Sequence, residues 1–403
     1  MVRALDGIRV LDLTIWQQGP YASAMLADLG ADVIKIEGPD LPDPGRRFLF
    51  RRDLGLSPYY EAHNRGKRAL ALDLKHPRGK ELFLRLVKGA DVFLHNLRGG
   101  AVERLGLDYQ VVGKVNPRII YAHASAWGGE GPDVKLGSYD ILAQARGGIM
   151  MLNGEPDGPP LPAPVPIADQ VGAMVAAYGI VVALLHRERT GQGQELNVSL
   201  LGSQLALQSF NVTSYLLTGR LPQRQPRGGF GPLWNTYKGS DDKHFALAML
   251  EDRWWPGVCQ AIEEPDLERD PRFETASKRF QNRQELTAHL DEVFARRPAR
   301  EWVQRFQEYS LMAAPVQDYE ELVNDPQVIA NAYIQEVERP GHEPVPMVGV
   351  PVKFGTTPGE IRRLAPALGE HTREVLLECG LAEDEIGQLE GDGIIRQDRP
   401  GIP

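Results

Sequence analysis

Apolar residues in the first third of the chain fall into two alternating patterns. Short, nearly continuous runs occur at 8–13 (IRVLDL), 31–37 (ADVIKIE), 67–74 (KRALALDL), 91–97 (DVFLHNL) and 117–125 (PRIIYAHAS). Between them, at 20–30 (PYASAMLADLG), 77–90 (PRGKELFLRLVKGA) and 100–115 (GAVERLGLDYQVVGKV), apolar positions recur at helical spacing. Continuous Val/Ile/Leu runs between amphipathic helices predict parallel strands buried on both faces, joined by crossover helices: an α/β sheet. Helix ends carry their usual marks, with Pro20 in a first turn and Gly30 and Gly89 at C-termini.

The stretch Pro164 to Gly191 (PVPIADQVGAMVAAYGIVVALLHRERTG) holds one acid, Asp169, before a long apolar helix pattern that reaches about Arg187. Its uninterrupted apolar window, Val171 to Leu185, is short of the roughly 20 residues a bilayer span needs. A deeply buried helix of a soluble protein is expected, and no membrane partner. GQGQELNVSLLGSQLALQ then reads as a strand and a helix. The Pro-, Gly- and Arg-rich TGRLPQRQPRGGFGP suits a linker or exposed loop. Beyond it, NTYKGSDDKHFALAML predicts a hairpin turning at Ser240 to Asp242, and three helical patterns complete a smaller α+β unit. From about Val337 the chain is Pro-rich and extended, ending in a helix at GEHTREVLLECG.

Composition narrows the function. The 403 residues carry a formal net charge of −9, against the basic balance of a general nucleic-acid binder. Two distant cysteines, Cys259 and Cys379, fit a reducing compartment, and no secretory pattern opens the chain, so a cytoplasmic location is expected. The nine histidines form no metal spacing, and neither a Gly-x-Ser-x-Gly elbow nor a Gly-x-Gly-x-x-Gly loop follows the first strand. Metal, Ser/His/Asp and nicotinamide chemistry lack support, and His123 and His186 read as structural.

Polar residues at the carboxyl ends of the strands remain, where such sheets bind ligands. Gln17 and Gln18 offer amides at the mouth of a helix, or merely cap it. Asn96 suits an adenine edge or a carbonyl. Arg98 and Arg104 suit phosphate, and the Gly-Gly between them permits close approach of a ligand. A solvated basic loop is the plainer alternative. Four arginines between Arg46 and Arg52 attract anions or face water. Gly228, Gly229 and Gly231 make either a connector or a mobile lid.

Taken in order, LDGIRVLDLT, QQGPYASAMLADLGADVIKIE, the blocks from NRGKRALALDL to HNLRGGAVERLG, SYDILAQARGG, Asp169, HRERTGQGQ and LGEHTREVL resemble the class III CoA-transferases. This family includes formyl-CoA and carnitine-CoA transferases and is related to the α-methylacyl-CoA racemases. The resemblance implies a Rossmann-like large domain (1–200), a linker (201–224), a small domain (225–325) and a C-terminal segment (326–403) returning to the large one. It also implies an interlocked homodimer, with acyl-CoA and a small carboxylic acid as substrates and no tightly bound cofactor or metal. Asp169 then matches the nucleophile and Gln17 a glutamine beside the reacting carbonyl. Gln18, Leu72, Lys75, Asn96, Leu97, Arg98, Arg104, Tyr139 and Asp140 fall where the family contacts CoA. Gly38 and Gly137 stand where some members have basic residues, which shifts phosphate binding toward Arg46, Arg47 or Lys135.

The racemase branch resembles GHD where this chain has SYD, so Tyr139 replaces an imidazole; a phenol with a pKa of about 10 exchanges protons poorly near neutrality. Acyl transfer is therefore expected, with racemisation or epimerisation as the alternative and non-catalytic acyl-CoA binding as a third reading. Asp169 is expected to be both helix cap and nucleophile, held ionised by the dipole and free N–H groups of the helix start. Those N–H groups and the Gln17 amide are candidate oxyanion donors. Phe230, Trp234 and Tyr237 are candidate walls of the acyl pocket, whose preference the sequence does not specify.

Overall fold

A computed structural model describes residues 2–397, so the outermost residues of the segments 1–200 and 326–403 lie outside it. Contacts divide the chain into two units: Met1–Met150 with Pro162–Arg220 and Ile329–Pro403, and Met151–Leu161 with Leu221–Val328.

The first unit is built on β1 (Arg9–Leu13), α1 (Gln18–Asp28), β2 (Asp32–Glu37), α2 (Pro58–Asn64), β3 (Arg68–Leu72), α3 (Pro77–Val87) and β4 (Val92–His95). There follow α4 (Ala101–Leu105), α5 (Tyr109–Val115), β5 (Ile120–Ser125), α6 (Asp140–Arg146), α7 (Ile167–Thr190), β6 (Gln194–Ser199), α8 (Leu200–Leu207) and α9 (Ser209–Thr218). The six strands are all parallel, in the order 3-2-1-4-5-6. A short strand, Ile395–Arg396, adds antiparallel to β3, so the C-terminal segment completes the sheet.

Alternation of side chains explains the continuous apolar runs. Leu11, Ile34, Leu70 and Phe93 pack on one face with Phe83 of α3 and with Val375 and Leu376 of the C-terminal segment. Their neighbours Val10, Val33, Val92 and Leu94 pack on the other with Leu26 of α1 and Ile180 of α7. Both faces are covered, so the strands read as nearly continuous apolar runs, interrupted only where a buried polar group finds a partner.

Three expectations are corrected. The helical pattern 100–115 is two helices, because Gly106 takes a left-handed φ of 65° and Asp108 accepts from the Val111 N–H to start α5. Most of the expected linker 201–224 is helical: α8 and α9 belong to the first unit, while 151–161 joins the second. Finally, α7 spans 24 residues, enough by length and composition to cross a membrane, and it is not deeply buried in this chain. Ala173, Ala176, Ile180 and Leu184 face the sheet, but Met174, Tyr178, Val181, Val182 and Leu185 are exposed. A helix apolar all round gives no periodicity from which to read its buried side. α2, a hairpin of Ile334–Val337 with Val345–Val348, and the helix Glu383–Gly391 lie where no element was expected.

In the second unit the expected hairpin pairs Trp234–Lys238 with His244–Ala248, and Ala313–Pro315 adds a third strand. Asp242 takes a φ of 60° at its turn. Helices Trp255–Ala261, Arg283–Phe294 and Ala299–Glu308 cover this sheet around Phe245, Phe294, Trp302 and Phe306. Tyr237 is part of that core, its hydroxyl donating to the Pro232 carbonyl at 2.6 Å, so it is not a pocket wall. Phe230 and Trp234 are exposed.

Candidate active site

In a sheet ordered 3-2-1-4-5-6 the connections leave β1 and β4 in opposite directions, opening a crevice at their carboxyl ends. A cleft of about 470 Å³ lies at this edge. Gln17, Gln18, Asn96, Leu97, Arg98, Tyr139 and Asp169 line it, together with Trp16 and His123. Seven of the candidate residues, drawn from four separate parts of the chain, thus meet around one space.

A buried charge network fixes the loop after β1. Asp12 accepts from Ser23 Oγ (2.6 Å) and Lys67 Nζ (2.8 Å), and Lys35 Nζ donates to the Thr14 carbonyl (2.8 Å) and to Asp43 (2.9 Å). The other oxygen of Asp43 accepts the Trp16 N–H at 3.1 Å. Trp16 itself takes a φ of 66°, costing on the order of 1–3 kcal/mol for a bulky side chain. Such strain persists only where surrounding bonds enforce it, and here the Lys35–Asp43 pair does so. Across the crevice, Asn96 clamps the loop from β4, accepting the Ile15 N–H at 2.9 Å and donating to the Ile15 carbonyl at 2.7 Å. These two bonds leave Asn96 a second N–H and a further lone pair at the cleft.

Gln17 opens α1 and donates through Nε2 to Gln170 Oε1 at 3.0 Å, keeping a second N–H on the same nitrogen. Gln18 donates to the Val198 carbonyl at 3.4 Å. It packs against Gly172, where an added Cβ would lie 2.8 Å from its amide nitrogen. Glycine at that point of α7 lets the two helices close over Gln18.

α7 begins two residues before Asp169, which is therefore in the first turn and not the cap. The cap comes from elsewhere: Asp140 Oδ1 accepts the N–H groups of Ala168 (2.7 Å) and Asp169 (3.0 Å). Its Oδ2 accepts from Gln144 Nε2 at 2.5 Å. Both oxygens of Asp140 are thus engaged within the protein, a capping role not anticipated for it. It also removes those two N–H groups as oxyanion donors, and the Gln170 N–H already bonds the Pro166 carbonyl. Nor is Asp169 held ionised: burial, helped by the neighbouring Asp140 charge, pushes its carboxyl up to about 7.

The remaining candidates divide. Arg98 donates through Nε to the Lys135 carbonyl at 2.6 Å, and its guanidinium lies about 3.9 Å from where a Cβ on Gly137 would be. Exposed Tyr139 stands edge-on to Trp16 at 6.0 Å. Leu72 and Lys75 line a second cleft of about 270 Å³ with Gly38, while Arg104 is exposed on α4 and lines neither. The Gly-Gly pair serves the chain: a Cβ on Gly99, which lines the first cleft, would meet the Val134 carbonyl at 2.4 Å, and Gly100, at φ 82°, starts α4. Arg46 is committed to Glu37 through two bonds and to the Pro366 carbonyl, and is removed from the phosphate candidates. Arg47 and Lys135 are exposed.

His123 is locked in place. Burial lowers its pKa, one ring nitrogen pairs with the Leu97 carbonyl (3.2 Å), and the other with Asn197 Nδ2 (3.1 Å). His95 stacks on it at 4.4 Å, buried with neither ring nitrogen hydrogen-bonded to the protein, a feature with no sequence signal.

A model of CoA-transferase family III matches residues 5–372. The succinyl-CoA–D-citramalate CoA-transferase of Chloroflexus aurantiacus is 33% identical, covering 98% of each chain. The succinyl-CoA:mesaconate CoA-transferase of Haloarcula hispanica is 35% identical over 94% of this chain and 97% of its own. The formyl-CoA:oxalate CoA-transferase of Streptomyces coelicolor is 32% identical over 98% and 99%. Among solved structures, a CaiB/BaiF family protein from Brucella suis superposes with a TM-score of 0.85 at 30% identity, covering 94% of this chain and all of that one. The chain belongs to CoA-transferase family III and is a CoA-transferase.

Proposed function

We propose that Asp169 is the nucleophile of CoA exchange between an acyl-CoA and a free carboxylic acid. The observation that carries this reading is a carboxylate in the crevice beside Gln17, with its own backbone N–H given to Asp140. A carboxylate poorly stabilised by its surroundings is a stronger base and a better nucleophile than one satisfied by a helix start. Ionised Asp169 attacks the thioester carbonyl, the C–S bond breaks, and a mixed anhydride and CoA thiolate form. The thiolate attacks the aspartyl carbonyl and the donor carboxylate leaves, so Asp169 carries CoA as a thioester. The acceptor carboxylate then attacks that thioester, and the released thiolate takes the acceptor acyl group from the new anhydride, restoring Asp169. No net proton is exchanged. The second N–H of Gln17 is the donor available to each tetrahedral oxyanion; a comparable amide donor contributes about 10²–10³ in rate.

Gln18, Leu72, Lys75, Asn96, Leu97, Arg98, Arg104 and Tyr139 are the proposed CoA contacts. Arg98 supplies the cation beside Gly137, and Arg47 and Lys135 remain for phosphate. The Gly228, Gly229 and Gly231 segment remains the proposed lid against hydrolysis. Because relatives include succinyl-CoA and formyl-CoA transferases, those two donors head a screen, with exchange read as transfer of isotopically labelled CoA. Borohydride reduction during turnover should convert Asp169 to the alcohol. Full exchange in Asp169→Ala, with no reduced Asp169 in the parent, would sink the reading.

An epimerase needs a proton carrier at the cleft, and the imidazole among its described lining residues, His123, has both ring nitrogens engaged. Incubating acyl-CoA in deuterated water without an acceptor acid should give no α-deuteration. An interlocked homodimer is supported by the unpartnered apolar stripe of α7 and by Phe210, Leu216 and Leu217 exposed on α9.

A further inference from the structure

The carboxylate of Asp140 accepts protein donors through both of its oxygens. An acid in the first turn of a helix normally folds back onto the free N–H groups there, which satisfy its charge. Asp169 has that position, but the N–H groups of Ala168 and of Asp169 itself both donate to one oxygen of Asp140. The bond to Gln144 Nε2 fixes the other oxygen, and Gln144 is itself buried, with its carbonyl accepting the Ala163 N–H at 2.8 Å. Two residues on α6 therefore hold the segment that leads into α7 and occupy the donors at its start.

We propose that Asp140 is a positioning residue: by capping α7 in place of Asp169, it leaves the Asp169 carboxylate turned into the cleft and underbonded. This rests on the reading of Asp169 as nucleophile and adds the device that keeps it reactive. A free carboxylate in the same place would bind its own helix start, becoming a weaker base and losing its aim at the thioester. Asp140 adds a second effect of the same sign, since its own negative charge opposes ionisation of its neighbour.

The groups facing Asp169 are few. α6 contributes Asp140, with Tyr139 just before it; α2 contributes Tyr59, whose phenol is raised by burial and by the Asp169 charge. α1 and its approach offer the neutral amides Gln17 and Gln18, and α7 the amide of Gln170. Arg98 and the locked His123 line the same cleft from β4 and β5, and α8 presents Leu200. Only Asp140 combines a like charge with possession of the helix N–H groups.

The test compares Asp140→Asn, which keeps an acceptor oxygen but loses the charge, with Asp140→Ala, which loses both. In protein carrying ¹³C-carboxyl aspartate, the Asp169 resonance is assigned by its loss in Asp169→Asn and titrated without substrate. The midpoint should fall by about one pH unit in Asp140→Asn and further in Asp140→Ala. The rise of kcat with pH should move down by the same amount. Above both midpoints kcat should drop about tenfold in Asp140→Ala, with KM for the acyl-CoA within about twofold of the parent. Asp140→Glu should restore part of the midpoint. A midpoint within about 0.3 unit of the parent in both folded variants overturns the proposal, whatever the loss of thermal stability. A shifted midpoint with no covalent adduct in the parent enzyme keeps the positioning role and defeats the nucleophile.

Discussion

Asp169 pays for its reactivity in stability, and the sign is open to measurement. Its folded pKa of about 7 lies above the ordinary carboxylate value, so between roughly pH 4 and pH 7 the folded protein binds a proton that the unfolded chain releases. The stabilisation this group provides is complete below pH 4 and is lost as the pH rises through 7. Asp169→Asn should therefore raise stability at pH 8, by up to about 4 kcal/mol from the shift alone and on the order of 1–2 kcal/mol once partial exposure is counted, read by urea melts at pH 5 and pH 8. Exchange activity of the parent should climb through pH 7 to a plateau, because only the carboxylate attacks. A second residue prediction concerns Lys35, fully buried against Asp43. Lys35→Met leaves Asp43 charged and unpaired in the core and should cost about 3–5 kcal/mol. Where the variant still folds, Trp16 and Gln17 lose their anchor and kcat should fall. At this scale the residues that meet at the cleft were legible in the sequence, but their hydrogen-bond partners were not. Asp140 and Asp169 stand 29 positions apart, so no local pattern indicates that one caps the helix of the other. Arg46 has the chemistry of a ligand group, and only the fold reveals its pairing with Glu37 and the Pro366 carbonyl.

Strands were the most legible elements because β3 and β4 are buried along their whole length, which forces continuous apolar runs. The Gly106 break between α4 and α5 was missed because both halves keep apolar spacing across the turn. α7 was misread for the opposite reason: Met174, Tyr178, Val181, Val182 and Leu185 are as apolar as the residues beneath them. That stripe recurs at helical spacing, and a second copy of this chain is the proposed cover. Val182→Glu with Tyr178→Glu should shift the mass seen by light scattering from dimer to monomer. If the parent is monomeric at micromolar concentration, the proposed interlocking fails.

In the whole molecule, the C-terminal segment acts as part of the first unit rather than as a tail. Ile395–Arg396 edges the sheet, Val375 and Leu376 fill its core, and Arg68 binds Glu374 and Glu378. Ending the chain after Pro366 should expose that core and give insoluble protein, measured as the soluble fraction on expression. The sequence pattern anticipated a sheet and a smaller unit, while the boundary near 220 was obscured because α8 and α9 run straight into the Pro- and Gly-rich stretch. All these levels converge on one covalent event. Intact-protein mass spectrometry during turnover, quenched with and without hydroxylamine, reads it most directly. The account predicts an enzyme heavier by one CoA, and after hydroxylamine a hydroxamate on the peptide that contains Asp169. Undiminished CoA exchange with no such adduct, or with the hydroxamate on another residue, would contradict it.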